Sequence, residues 1–344
     1  MRILRIIFGT LLFCVLFCGV NSVLSRKSFY VDSIRDFLFS STLDVDAIGF
    51  GSSHMYCTLN PFVLYRNEGM RSYVCATQQQ PAELTFEYIR RALKTHRPKV
   101  ALLETLMFFS QGHPTTISSD VIAHNSLDPI PFGIDKCLTV VGLPNVNNID
   151  SLIFPFIKYH SRWKELSRRD WRPGRPSLFE ESIMGFRVFA NSRTNYIAAV
   201  DYSKCRQIKV DDYYMSYLNQ ILRFVSANDC QLVLLTAPFA LNDICKGRIM
   251  YINEWAKANN VLHIDLNSDF KLTGIDNDTD YFDRTHLNVL GSEKATLYIG
   301  RKLAECCSFK RNANNCGETH AVWEDACRRY DRLKEDALKV AKRK

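Results

Sequence analysis

The sequence predicts a three-layer α/β/α fold around a parallel sheet. Three observations carry this. Short β-rich runs alternate with longer amphipathic segments along the chain, the order that makes parallel crossovers. Most of the runs are continuously apolar rather than alternating, as strands covered on both faces are. A glycine-serine corner follows the first run, and an Asp/His pair follows the last.

Before the alternation begins, residues 1–25 form a segment of their own. Arg2 and Arg5 precede an uncharged stretch from Ile6 to Ser25, and Arg26 and Lys27 follow it. About 20 apolar residues suffice to cross a bilayer. Residues 1–25 are therefore expected to be an uncleaved membrane anchor. A cleaved signal ending near Val20-Asn21-Ser22 and a buried core helix are the alternatives. The basic N-terminus favours a body outside the cytoplasm. Phe17 before Cys18 argues against lipoprotein processing.

The strand candidates follow in order: 44–51 (DVDAIGFG), 72–77 (SYVCAT), 99–104 (KVALLE), 231–238 (QLVLLTAP) and 261–266 (VLHIDL). Helical spacing of apolar residues marks 82–96, where Leu84, Tyr88 and Ala92 share a face, and likewise 211–229 and 244–260. Residues 107–210 break the rhythm with seven prolines, from Pro114 to Pro176, and read as a long insertion with some helix around Phe154 to Arg168. Loops after strand ends shape the ligand site in such folds, so the insertion is expected to build a substrate cleft. One domain should thus span 26–305, followed by a charged, helical, solvated tail over 306–344.

With 344 residues and 47% apolar content, the chain can bury a large core, and nothing suggests global disorder. The formal charge of +8, from 44 basic and 36 acidic residues, falls partly in the terminal LKVAKRK, so no nucleic-acid partner is expected. The twelve cysteines include no C-x-x-C pair and no Cys/His cluster with ligand spacing; no metal or cofactor is expected. Cys306, Cys307, Cys316 and Cys327 are the best candidates for bridges, with their pairing open, while Cys57, Cys75 and Cys230 read as buried apolar residues.

The chemistry concentrates at the two corners. Ser53 follows Gly49-Phe50-Gly51-Ser52 and should project from the carboxyl edge of the sheet; alone this is ordinary turn composition. Asp283 and His286, three residues apart, precede a segment in which Leu290, Lys294 and Leu297 have helical spacing. A serine hydroxyl needs a base to take its proton, and the base needs a carboxylate to fix its tautomer. Ser53, His286 and Asp283 are therefore the candidate nucleophile, base and orienting acid.

These residues carry a resemblance. Strand-G-S-S-helix near the start and D-x-x-H-L-N-x-x-G before a last helix resemble the SGNH (GDSL-like) hydrolase superfamily, over roughly 44–104 and 231–303. The resemblance implies a flavodoxin-like SGNH fold with Ser53, Asp283 and His286 as its triad. Hydrolytic members bind the oxyanion with a glycine after the second strand and an asparagine after the third. Here Gln78, Gln79 and Gln80 stand near the first position, and LLETLMFF replaces the second motif. The backbone N–H groups of Ser53 and Gln79, with a glutamine amide, are the remaining candidate donors. Together with the anchor, this pattern resembles the extracytoplasmic acyl-transfer branch, which includes the teichoic-acid D-alanylation protein and the alginate O-acetyltransferases. It implies a cell-surface glycan or acylated polymer as substrate and a membrane protein as acyl donor.

Other polar residues read more plainly. Glu104 could orient a substrate hydroxyl or pair with an arginine. His54 should pack away from Ser53. His124, Asn125 and Asp128 read as a structural turn, with substrate contact as the alternative, and Arg187 and Arg193 as solvated residues that could meet an anionic polymer. The rival from another class is a non-catalytic glycan-binding surface protein of the same fold.

Overall fold

The computed structural model describes residues 1–25, 30–40, 43–109, 120–143, 146–167, 170–171, 182–306 and 318–342. The chain divides into two compact units, one of residues 42–114 and 179–344, the other of residues 1–41 and 115–178.

The first unit holds a five-stranded parallel sheet. Strands β1 (Ala47–Gly51), β2 (Ser72–Ala76) and β3 (Val100–Glu104) are buried along their whole length. A two-residue hairpin pairs β4 (Ser182–Ile183) with β5 (Phe186–Arg187), and β6 (Gln231–Thr236) and β7 (Leu262–Asp265) complete the sheet. Its order is β2-β1-β3-β6-β7 with every pair parallel, so all five expected strands form. Burial on both faces explains why the strands read as unbroken apolar runs. Helices Ala82–Thr95 and Asp212–Ser226 pack together in one group, while Ser53–Thr58, Pro61–Glu68 and Val289–Cys306 pack together in another, giving the layers that flank the sheet. The chain leaves β1 for β2 on one side and later reaches β3 on the other. This reversal is the switch point at which open α/β sheets bind ligands beyond their strand ends.

The hairpin protects an edge strand. The N–H of Val74 in β2 donates to the carbonyl of Met184 at the hairpin tip, at 3.0 Å. Gly185 follows with φ +76°, and a Cβ there would fall 1.9 Å from the carbonyl oxygen of Val74. Only glycine allows that approach. The two-residue strands were not foreseen, since so short a pair has no periodicity to read.

The C-terminal helix Glu318–Ala341 corrects the expectation of a solvated tail. Trp323 and Tyr330 are fully buried. Their rings stack on Tyr65 and Phe62, with centroids 5.3 and 4.8 Å apart. Tyr330 Oη donates to Glu293 at 2.6 Å and accepts from Asn60 Nδ2 at 2.9 Å, and Arg66 forms a fork with Asp331. Cys57, Cys75 and Cys230 are buried as expected. Cys306 and Cys327 are free thiols, and Cys307 and Cys316 lie outside the described residues.

The second unit surrounds the end of an apolar helix, Arg2–Ser25, which is long enough for a membrane anchor or a signal sequence. Helix Pro155–Tyr159 and a 3₁₀ segment, His160–Glu165, pack on this helix; Ile149–Ile153 packs on Pro155–Tyr159, and Asp120–Leu127 and Ile134–Val141 pack on Ile149–Ile153. Arg162 donates to the carbonyls of Val23 and Leu24 at 3.0 and 3.2 Å, satisfying groups a helix end leaves open. His124 and Asp128 lie at the end of a helix rather than in an irregular turn, joined at 3.0 Å, and Tyr159 Oη donates to the same carboxylate at 2.7 Å.

Removing the Trp323 ring should open a cavity beneath the C-terminal helix. Trp323→Ala is expected to destabilise the protein by about 3–5 kcal/mol, measured by urea unfolding. A loss below about 1 kcal/mol would mean that this helix is dispensable to the core.

Candidate active site

The site begins with a backbone constraint at the end of β1. Gly51 has φ +138°, and a Cβ there would lie 2.7 Å from the Cβ of Glu104 in neighbouring β3. The missing side chain lets the chain turn out of the sheet against β3. Ser52 then caps helix Ser53–Thr58, its Oγ accepting from the N–H of His54 at 3.2 Å. Ser53 is therefore the first residue of a helix at the carboxyl edge of the sheet.

Glu104 fixes this corner from below. Its Oε2 accepts from Ser52 Oγ at 2.5 Å and from the Ser52 N–H at 3.2 Å, and its Oε1 accepts from the Leu106 N–H at 2.5 Å. Both expected roles for Glu104 are thus corrected. The residue is buried against the corner, where it braces Ser52 rather than facing a substrate hydroxyl or pairing with an arginine. Burial is the largest influence on its carboxyl group and raises its pKa to about 7 against the opposing hydrogen bonds.

The second corner is equally determined. Asp283 Oδ1 accepts from the N–H groups of Thr285 and His286, both at 2.8 Å, an Asx turn that folds the loop back on itself. His286 Nδ1 then lies 2.9 Å from Asp283 Oδ2, and its Nε2 lies 2.7 Å from Ser53 Oγ. The structure brings the three residues into one line although 233 positions separate Ser53 from His286. Partial burial pushes the Asp283 carboxyl upward. Hydrogen bonds from Thr285 and His286, together with the nearby imidazole charge, outweigh it and hold the group below its ordinary value.

Supports reach this loop from several directions. Asn288 caps helix Val289–Cys306, its Oδ1 accepting from Leu290 and Gly291, while its Nδ2 donates to the carbonyls of Thr279 and Asn191. Asn195, in extended chain after the hairpin, donates to the Asp283 carbonyl at 3.1 Å. Sequence reasoning missed Asn195 because irregular chain offers no pattern. The hydroxyl of Thr296 accepts from the Asn60 N–H at 2.8 Å and donates to the Thr58 carbonyl at 2.9 Å, tying helix Val289–Cys306 to the end of the Ser53 helix. His54 is packed, as expected, but beside His286, with ring centroids 4.9 Å apart, and edge-on to Phe239. Burial first, then the neighbouring His286, drives its pKa to about 3, so it stays neutral.

The glutamines divide. Gln78 and Gln79 are exposed in the turn after β2, Gln79 with φ +48°, beside the carboxyl end of β1. Gln80 is buried and bonded to Thr77 and Thr85, a structural role. No group of three or more metal-ligating side chains occurs among the described residues. Arg187 has its guanidinium 4.9 Å from the Phe189 ring centroid and 5.8 Å from that of Tyr56, on the helix that Ser53 begins.

No protein-family model matches the chain, and no curated protein matches it. Among solved structures it is similar to one described as a lipolytic protein of the G-D-S-L family from Desulfitobacterium hafniense DCB-2. That likeness has 11% identity and a TM-score of 0.38, covering 75% of this chain and 99% of the other. The fold class rests on the sheet and layers described above, and the chemistry on the residues themselves.

Glu104 makes the stability of the corner depend on pH. A carboxyl with a higher pKa folded than unfolded contributes stability that is full below about 4.5 and is lost as pH rises through about 7. Wild type should therefore lose urea resistance between pH 5 and pH 8 relative to Glu104→Gln, which cannot titrate. Parallel pH profiles for the two proteins would rule out a titrating Glu104.

Proposed function

We propose that the chain is an SGNH-type serine enzyme that moves an acyl group from an ester to a glycan hydroxyl or to water at the outer face of a membrane. The observation that carries the reading is the unbroken line Ser53 Oγ, His286 Nε2, His286 Nδ1, Asp283 Oδ2, with contacts of 2.7 and 2.9 Å. In this reading Ser53 Oγ attacks the acyl carbon as its proton passes to His286 Nε2. The leaving alkoxide takes that proton, and an acyl ester remains on Ser53. His286 next accepts a proton from the acceptor hydroxyl or water, which attacks the ester and frees Ser53. Asp283 stays ionised, holds the tautomer with the proton on Nδ1, and stabilises the imidazolium.

The oxyanion is the sparse part of the site. Glu104 stands at the end of β3 as an acceptor committed to Ser52 and Leu106, so it offers no donor. Donors are left to the N–H groups of Ser53 and Gln79, with the Gln78 amide in the same exposed turn. A missing donor costs about 2.7–4 kcal/mol of transition-state stabilisation. Slow hydrolysis of small esters fits that loss, and binding of a large donor and acceptor can offset it. The same sparseness favours the second reading, a glycan-binding surface protein without catalysis.

A fluorophosphonate probe separates the two. Wild type is expected to be labelled at Ser53 and Ser53→Ala not at all; an unlabelled wild type supports the binding protein. Asp283→Asn should lower kcat by about 10³–10⁴-fold, the loss expected when the imidazole tautomer is no longer fixed. Efficient acyl release to water that ignores added glycan would exclude transfer as the main reaction. A reporter fused after Lys344 should lie outside the cytoplasm, and cytoplasmic activity would remove the cell-surface substrate.

A further inference from the structure

Helix Ile134–Val141 turns an apolar face outward. Ile134, Leu138 and Val141 fall at i, i+4 and i+7, on one side of two turns, and are 79%, 67% and 69% exposed. The opposite side is inward, with Val140 and Lys136 buried. In a soluble unit such a stripe would normally face the core.

Its neighbours indicate what covers it. Phe132, two residues before the stripe, meets Phe17 of the N-terminal helix edge-on, with centroids 5.8 Å apart. Phe154 and Phe156 reach the same ring at 5.6 and 5.3 Å. Ile149, Ile157, Trp163 and Trp171 are exposed on adjoining segments, and the ammonium of Lys164 lies 5.6 Å from the Trp163 ring. Tryptophan and lysine together are the side chains that settle where acyl chains give way to headgroups.

The length of the N-terminal helix sets the depth. Asn21, Leu24 and Ser25 are buried in the unit, whereas the uncharged residues 6–20 present an exposed surface that is mostly apolar, with only Phe17 half covered. At 1.5 Å per residue that stretch is about 22 Å long, most of the ~30 Å hydrocarbon core. Phe17 lies three residues from its inner end, about 4.5 Å of rise. The phenylalanines that touch Phe17 therefore sit at the boundary of the hydrocarbon.

We propose that the unit formed by residues 1–41 and 115–178 is a membrane-seated collar, in which helix Ile134–Val141 lies in the lipid interface beside the span and buries Ile134, Leu138 and Val141 among acyl chains. The proposal rests on the membrane reading of residues 1–25. Interfacial helices insert their apolar side about 5–10 Å below the headgroups, the depth that contact with Phe17 imposes here. Lipid fits better than a second copy of the chain. Phe132, two residues before the stripe, touches Phe17 on the helix that is uncharged from Ile6 to Ser25, and three aliphatic side chains fall far short of the ~800 Å² per partner of a stable dimer.

The test is photolabelling of the full chain in phosphatidylcholine vesicles whose acyl chains carry a diazirine, followed by peptide mapping. Adducts are expected both within residues 3–20 and within 134–141. The double variant Ile134→Asp, Leu138→Asp should lose at least about five-fold of the second set and keep the first, while Leu138→Phe should keep both. Adducts confined to residues 3–20 would overturn the collar and leave the anchor standing. Adducts in neither segment would overturn both.

Discussion

The site depends on one buried contact, the carboxylate of Glu104 against Ser52. Parallel pairing of β1 with β3 places the ends of the two strands side by side, and the absence of a side chain at Gly51 lets them close. Glu104 then holds the Ser52 hydroxyl and N–H. Since Ser52 caps the helix that Ser53 begins, the direction of the Ser53 hydroxyl follows from a group it does not touch. An ionisable side chain is an expensive brace, because burial disfavours its charge. Three donors converging on it offset part of that penalty and give the corner a single geometry.

Much of this was legible in the sequence, for identifiable reasons. Strands buried on both faces must be apolar throughout, so all five strands of the main sheet stand out. The D-x-x-H spacing is a local property: an Asx turn brings Asp283 back to His286 within four residues, so a short motif suffices to reveal it. Glu104 was visible as an acid at a strand end, but its bracing role was not, because that role depends on a neighbour 52 positions away. Asn195 had no signal at all. The C-terminal helix did have one, since Trp323 and Tyr330 are seven residues apart on one face. The surrounding charges, which lie on the opposite faces, concealed it.

The long proline-rich stretch between β3 and the second half of the sheet proves to be two things. Residues 115–178 cluster with the N-terminal helix, while 179–210 belong to the α/β unit. There, Phe189 accepts from the Val289 N–H, Arg193 donates to the Tyr281 carbonyl and Asn195 to that of Asp283. The extended chain thus works as a strap over the loop that carries Asp283 and His286. Because its bonds are mostly between backbone groups, its position is nearly independent of side-chain identity.

The distance in sequence between Ser53 and His286 also orders events in time. On a ribosome adding about 5–20 residues per second, 233 positions correspond to roughly 10–50 s between the emergence of the hydroxyl and that of the imidazole. During that interval β1, β2 and β3 can pair, but Ser53 has no imidazole partner, and the strap has no loop to hold. Only docking of the last strand and the segment after it, when most of the polypeptide has been made, brings His286 to Ser53.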